Sequence, residues 1–163
     1  MTGILVLIAA VVLALGFGAW RARTDGRFGT RRTARVATAD TAEPTTDADA
    51  EPSAWDAVVA AGVGESAGER ATLLQFSSAF CAPCRATRRV LGDVAEVVPG
   101  VAHVEVDAEH HLELTRTLGI LRTPTTLVLD AAGREVTRAA GAPTKQQVLA
   151  GLDAALRAQP GIT

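Results

Sequence analysis

The first apolar segment of the chain is continuous, with no polar residue to give it a face. Residues 3–20 read GILVLIAAVVLALGFGAW, eighteen residues without a charge. As a helix rising about 1.5 Å per residue they would span roughly 27 Å, close to the hydrocarbon thickness of a bilayer. The pattern predicts a transmembrane helix. A cleavable secretory signal is the alternative, but no basic residue precedes the run, and the run is longer than the apolar part of such a signal.

Two blocks of opposite charge follow the apolar run. Residues 21–35 contain six arginines and one acidic residue, whereas residues 38–54 contain five acidic residues, two prolines and no large apolar side chain. The positive-inside rule places the arginine block, and the chain beyond it, in the cytoplasm; an extracytoplasmic domain is the alternative. The acidic block cannot bury enough apolar surface to fold. We therefore predict a membrane anchor at 1–20, a disordered linker at 21–54 and a folded domain at 55–163.

Within the folded domain the apolar residues are periodic. Short or alternating apolar runs predict β-strands at residues 71–77, 101–107, 125–130 and 134–140. Helical spacing predicts helices that follow Ser53, run from the cysteines to Val98, cover residues 109–118 and follow Thr144. The order α-β-α-β-α-β-β-α indicates an α/β domain with a mixed sheet covered by helices on both faces.

Charge and composition add little to this outline. The formal net charge is −2, so nothing favours a nucleic-acid partner, and the adjacent membrane helix explains the arginine block. Fifteen arginines against one lysine, with abundant alanine, are typical of a bacterial genome rich in G and C.

The two cysteines of the chain, Cys81 and Cys84, flank Ala82 and Pro83 at the predicted start of the longest helix of the domain. A thiolate at Cys81 would face unpaired backbone N–H groups and the positive end of the helix dipole, which together lower the pKa of a thiol. Cys84 lies one turn further, shielded by the helix but close enough to form a disulfide. The pattern favours a redox pair in which Cys81 attacks and Cys84 resolves.

Three other roles for the cysteine pair remain open. A structural disulfide would close so small a ring that it would contribute only about 2 kcal/mol. A metal site would need further ligands, but the three histidines, which we expect at the surface, form no recognised ligand pattern with the cysteines; they are His103, His110 and His111. Two inert, reduced core cysteines are disfavoured because the intervening proline at a helix start favours exposure.

Five short motifs follow one another through residues 55–163: LLQF, CAPC, VDAE, RTPTTLVLD and AGAPTK. In this order and spacing they resemble the thioredoxin family. The resemblance implies a three-layer α/β/α fold and a Thr123-Pro124 bond that is cis, with the proline facing the cysteines. It also implies that Thr123 and Pro124 hold an extended client chain beside Phe80, Ala82 and Pro83. A trans proline that merely opens a strand is the alternative.

The chain departs from the reductant members of that family at three positions. Phe80 and Ala82 stand where those proteins usually carry tryptophan and glycine. Gln75 stands where they carry a buried carboxylate that handles the proton of the resolving thiol. Because an amide cannot accept that proton, the deprotonation of Cys84 must use water or another group.

Together these patterns indicate a membrane-tethered thiol–disulfide oxidoreductase. It would cycle between a dithiol and a Cys81–Cys84 disulfide as a monomer with no bound cofactor or metal, and it would take electrons from a protein donor and exchange them with protein clients. A copper carrier of the same fold and a redox-inert protein-binding module are the alternatives from other functional classes.

Overall fold

The computed structural model describes residues 2–24, 26–29, 52–64 and 66–157. Its elements in chain order are α1 (Thr2–Thr24), β1 (Phe28–Gly29), α2 (Ala54–Ala60), β2 (Ala71–Ser77), α3 (Ala82–Val97), β3 (Val101–Asp107), α4 (Leu112–Thr117), β4 (Thr125–Asp130), β5 (Glu135–Ala140) and α5 (Lys145–Arg157). From α2 to α5 the order is the predicted one.

Local signals determine most of the element boundaries. Ser53 caps α2: its side chain accepts the backbone N–H of Asp56, and the Asp56 carboxylate accepts the N–H of Ser53. Thr144 makes the same reciprocal pair with Gln147 at the start of α5. The largest difference from the expected boundaries is at α4, which begins at Leu112 and not at Glu109. The Asp107 carboxylate accepts the N–H of Glu109, which holds this segment in a turn.

The strands form one mixed sheet in the order β1-β5-β4-β2-β3. β2 and β3 are parallel, and the other neighbours are antiparallel. All seven residues of β2 are buried, because this strand lies between β3 and β4 and has helices on both faces.

Each face of the sheet has its own apolar core. Strand residues such as Leu74 and Phe76 pack on one face with Leu114 of α4 and Val58 of α2. On the other face the core joins strands β2 and β4 to helices α3 and α5; its fully buried large side chains are Leu73, Leu91, Val94, Val128, Val148 and Leu152. The expected three-layer α/β/α arrangement is therefore present.

The prediction that residues 21–54 form a disordered linker is wrong at residues 21–24, which continue helix α1, and at residues 26–29. Phe28 and Gly29 pair with Ala139 and Arg138 of β5, and the N–H of Gly26 donates to the carbonyl of Ala140. β5 would otherwise present unpaired backbone groups at the sheet edge, and the short strand β1 covers part of that edge. Phe28 also packs against the core beneath α5. Residues 30–51, including most of the acidic block, lie outside the described residues.

Helix α1 extends four residues beyond the apolar run, to Thr24. Its Gly3–Trp20 segment is long and apolar enough to cross a membrane, and none of it is buried against the rest of the described chain. A signal sequence near an N-terminus meets the same two criteria of length and composition, so these criteria fit a membrane anchor and a signal sequence equally.

Candidate active site

The two cysteines lie at the junction between the end of β2 and the start of α3. After Ser77 the chain makes a tight turn in which the N–H of Cys81 donates to the carbonyl of Ser78 at 3.3 Å. Cys81 is the N-cap residue of α3, and Pro83 occupies the first turn, where a missing N–H leaves no helical hydrogen bond unmade.

Cys81 and Cys84 are joined in a disulfide with an S–S distance of 2.06 Å and a Cα–Cα distance of 5.2 Å. Their environments differ. Cys81 is partly exposed, whereas Cys84 is 1% exposed. The N–H of Cys84 donates to Sγ of Cys81 at 3.1 Å. Sγ of Cys81 therefore receives a backbone hydrogen bond at the positive end of a sixteen-residue helix, which is the environment expected for a thiolate.

The Thr123-Pro124 peptide bond is cis, as the resemblance implied. Phe76 pairs with Thr125, so the chain that leaves β2 and the chain that enters β4 meet at one end of the sheet. The hydroxyls of Ser78 and Thr123 lie 3.3 Å apart and connect the two loops. The structure thus brings Thr123 and Pro124 beside the turn that carries the cysteines.

Exposed apolar side chains surround this end of the sheet. Phe80 is 95% exposed, and Ala82 and Pro83 of the cysteine motif are also exposed. Leu121, which sequence reasoning did not single out, is likewise 95% exposed and lines a groove of about 310 Å³ that Thr123 borders. An isolated leucine just ahead of the Thr-Pro step was the only sequence signal for it.

The buried side of the site contains the amide of Gln75. Its Nε2 donates to the backbone carbonyl of Cys84 at 3.1 Å, and its Oε1 lies 3.2 Å from Nε2 of His103. The expectation that the histidines lie at the surface is therefore wrong for His103, which is partly buried. Strand β3 runs beside β2, so His103 lies next to Gln75 and provides a hydrogen-bond partner for its buried amide. Burial lowers the pKa of His103; Glu105 opposes this effect and Arg88 adds to it.

Glu105 is a polar residue of the site that sequence reasoning did not single out. Ser77 donates to its carboxylate at 2.5 Å, and two guanidinium nitrogens of Arg88 lie 2.5 and 2.7 Å from its two oxygens. Partial burial by itself raises the pKa of Glu105. The hydrogen bonds from Arg88 and Ser77 lower it by more, so the pKa of Glu105 lies below its usual range. A cavity of about 360 Å³ is lined by both Glu105 and Cys84.

The remaining histidines lie away from the cysteines. His110 is exposed and lies 3.0 Å from the carboxylate of Asp107, and His111 is the N-cap residue of α4. Across the described ranges, no three histidine, cysteine or carboxylate side chains come close enough together to hold a metal ion.

Comparison with known proteins agrees with this geometry. A family model described as a thioredoxin-like domain matches residues 60–156. The thioredoxin of Alicyclobacillus acidocaldarius subsp. acidocaldarius is 34% identical over 86 residues, which cover 52% of this chain and 81% of that protein. The putative thioredoxin H10 of Arabidopsis thaliana is 31% identical over 74 residues, which cover 45% of this chain and 47% of that protein, about half its length.

Solved structures show the same fold. A mutant thioredoxin from Halobacterium salinarum NRC-1 superposes with a TM-score of 0.51 at 20% identity, covering 56% of this chain and 80% of that one. The thioredoxin of Fasciola hepatica superposes with a TM-score of 0.50 at 20% identity, covering 64% of this chain and 95% of that one.

Proposed function

Since the chain belongs to the thioredoxin family and is a thiol–disulfide oxidoreductase, we propose that it works while tethered to a membrane by α1 and exchanges disulfides with protein clients. One observation carries the assignment of roles within the pair. Cys81 is partly exposed and its sulfur accepts a backbone N–H at a helix start, whereas Cys84 is buried one turn further into the helix.

The reaction is a pair of thiol–disulfide exchanges. The Cys81 thiolate attacks one sulfur of a client disulfide, forms a mixed disulfide and releases the other client sulfur as a thiolate. Cys84 then loses its proton and attacks Sγ of Cys81, which releases the second client thiolate. The client gains two electrons and two protons, and the Cys81–Cys84 disulfide remains. A protein dithiol reduces this disulfide again; alternatively, when the client is itself a dithiol, the same steps run in reverse, so that the client is oxidised and the Cys81–Cys84 dithiol is regenerated.

The client chain binds across the loop that contains the cis proline. The backbone of Thr123 offers an edge for an extended peptide, and Pro124 lies beside the cysteine turn. Phe80, with Ala82 and Pro83, contributes exposed surface on the cysteine side. These contacts suit an unfolded or loop segment of a client, because only an extended chain can pair with a strand edge.

Activity and residue roles are tested together with the full chain in detergent micelles. We expect wild type to reduce a protein disulfide with turnover driven by an added dithiol. Cys81→Ser should abolish turnover, whereas Cys84→Ser should accumulate the mixed disulfide, which is visible as a covalent adduct on a non-reducing gel. Adduct formation by Cys81→Ser instead would reverse the two roles.

The same proteins test the two alternative functions. A wild type that binds copper stoichiometrically and does not turn over would support the copper carrier. Cellular function that survives Cys81→Ser would support the redox-inert binding module.

The tether and its orientation need a separate experiment. The six arginines after the apolar run predict that the domain lies in the cytoplasm. A reporter that is active on only one side of the membrane, fused after Thr163, should therefore report the cytoplasmic side, and the chain should remain in the membrane fraction after a high-salt wash. Recovery of a shortened soluble product would show that α1 is a cleaved signal, and reporter activity outside would reverse the orientation.

A further inference from the structure

The face of the sheet beneath Cys84 carries a carboxylate, although position 75 holds an amide. β2 and β3 are parallel, and Gln75 is in register with Glu105. Side chains two residues apart on a strand point to the same face. One face of the sheet therefore carries four polar side chains: Gln75, Ser77, His103 and Glu105. Helix α3 covers this face, and Arg88 of α3 hydrogen-bonds Glu105.

A cavity connects this carboxylate to the resolving cysteine. It has a volume of about 360 Å³, and its lining includes Cys84, Ser77, Arg88 and Glu105. One water molecule needs only about 10–15 Å³ of such space and two or more polar partners, so the cavity is roomy and polar enough for a bridging water. Cys84 and Glu105 thus border one polar space that lies outside the apolar core.

We propose that Glu105 accepts the proton of the Cys84 thiol, through water in this cavity, when Cys84 resolves a mixed disulfide. Arg88 and Ser77 are the positioning residues that hold the carboxylate. The inference rests on the proposed function and deepens it, because it supplies the proton acceptor that Gln75 cannot be.

The step balances in protons and electrons. The S–H bond of Cys84 breaks, and its proton moves by way of water to an oxygen of Glu105. The Cys84 thiolate attacks Sγ of Cys81, the Cys81–client bond breaks, and its electron pair leaves with the client sulfur. Glu105 then returns the proton to that thiolate or to solvent. No other oxidant or reductant takes part.

The groups around Glu105 hold it in the ionised form, which is the form that can accept a proton. Arg88 from α3 and the Ser77 hydroxyl from β2 hydrogen-bond its carboxylate, and His103 on β3 faces it; Arg85 and Asp107 line the same cavity. The hydrogen bonds lower the pKa of Glu105, so it is ionised at neutral pH. His103 is less suited to the task, because its Nε2 lies against Gln75, and Gln75 contacts the backbone carbonyl of Cys84 and not its sulfur.

Glu105→Gln tests the proposal, because it keeps the size and hydrogen-bonding capacity of the side chain and removes its basicity. The measurement is the rate at which the full-length protein resolves a preformed mixed disulfide between Cys81 and a thiol reporter. We expect that rate to fall about tenfold or more at neutral pH, since positioned acid–base groups contribute factors of that order or greater. With the acceptor gone, the proton must go to hydroxide, so the rate should rise by about tenfold per pH unit where the wild type is nearly flat.

Two further variants separate proton transfer from structure. Arg88→Gln keeps the carboxylate but removes the ion pair, so its resolution rate should stay nearly flat with pH. Ser77→Ala removes a hydrogen bond that lowers the pKa of Glu105, so the acid limb of the wild-type profile should move to higher pH. Equal slowing of Glu105→Gln and Arg88→Gln with one shared pH profile would overturn the proposal. So would an unmoved acid limb in Ser77→Ala, which remains informative if Glu105→Gln does not fold.

Failure of this inference differs from failure of the proposed function. If the wild type forms no mixed disulfide and does not turn over, the oxidoreductase assignment itself fails. If the wild type turns over normally and Glu105→Gln resolves the mixed disulfide at the wild-type rate across the pH range, only the role of Glu105 is rejected. Alkylation of reduced Cys81 by iodoacetamide should remain within about twofold of wild type in Glu105→Gln, because the first attack does not use this proton path.

Discussion

The two ends of the sheet face beneath α3 are built differently. At one end, Ala71 and Leu73 of β2 pack with Leu91 and Val94 of α3 in a fully buried apolar core. At the other end, the polar cluster consists of Gln75, Ser77, His103 and Glu105, and it lies under the first turns of the same helix. One helix and one pair of strands thus combine an apolar core for stability with a set of hydrogen-bonding groups around Cys84.

The polar cluster has stricter packing requirements than the apolar end of the same face. Apolar side chains need only shape and volume to pack well, whereas each buried polar group needs a partner. Gln75 has two partners, but the hydroxyls of Thr87 and Thr126 are buried without a hydrogen-bond partner among the residues described. Thr126 is the register partner of Gln75. The end of the face near Cys84 is therefore packed less favourably than the apolar end, and the difference can be measured.

The largest expected effect is at the apolar end. Leu91→Ala should lower the free energy of unfolding by about 2–5 kcal/mol, because Leu91 is fully buried and its removal leaves a cavity. Urea denaturation of the full-length protein measures the loss, and resolution kinetics of the folded fraction should be unchanged. The control Leu91→Met keeps the volume and should cost less than about 1.5 kcal/mol. A Leu91→Ala loss no greater than that of Leu91→Met would show that this end is not the main packed core.

The next effect is at Gln75 in the polar cluster. Gln75→Leu keeps the approximate volume but leaves His103 without its amide partner, so it should cost about 1–3 kcal/mol of unfolding free energy. Denaturant melts at neutral pH measure it, with Gln75→Glu as a comparison that restores an acceptor for His103. If Gln75→Leu is instead more stable than wild type, the hydrogen bonds of the polar cluster do not increase the free energy of unfolding.

The pH dependence of stability gives a smaller effect with a definite sign. Burial lowers the pKa of His103, so the unfolded chain binds this proton more readily than the folded one. The neutral His103 side chain therefore contributes to the free energy of unfolding, and this contribution is complete above about pH 6.5, the usual pKa of histidine. It is lost as the pH falls through the lower pKa that His103 has in the folded state. His103→Gln should therefore reduce the loss of unfolding free energy between about pH 7.5 and about pH 5.5. An unchanged loss in His103→Gln would argue against the burial of His103 as its cause.

The smallest effect is expected at the ion pair that holds Glu105. The Arg88 side chain is 56% exposed, so Arg88→Gln should change the free energy of unfolding by less than about 1 kcal/mol. Thermal or urea melts in low and high salt measure the change. A loss of several kcal/mol would mean that the pair supports the fold and does more than position a carboxylate.

Sequence reasoning recovered the elements with strong local signals. The caps at Ser53 and Thr144, the buried strand 71–77 and the helix that begins at the cysteines lie where predicted. The start of α4 was misplaced because the turn that Asp107 holds looks, in sequence, like the first turn of a helix. Strand β1 was missed because two residues in a charged segment carry no periodicity, and only the edge of β5 gives them a partner.

The candidate site divides in the same way. The cysteine pair could be predicted from its place at a helix start, whereas the Thr-Pro step was predicted only from the resemblance to the thioredoxin family. The roles of His103 and Glu105 could not, because they depend on which strand lies beside β2 and in which register. Leu121 was missed for a related reason: its exposure depends on how the loop before the cis proline folds back toward Ser78.

By itself the sequence determined the periodicity of each element, the helix caps, the apolar run and a cysteine pair at a helix start, because these features depend on neighbours within a few residues. The sequence also shows that position 75 holds an amide, but only the tertiary structure decided that a carboxylate on β3 lies on the sheet face beneath Cys84. Parallel pairing joins residues thirty positions apart, and no local pattern records which residue will face another across two strands and a helix.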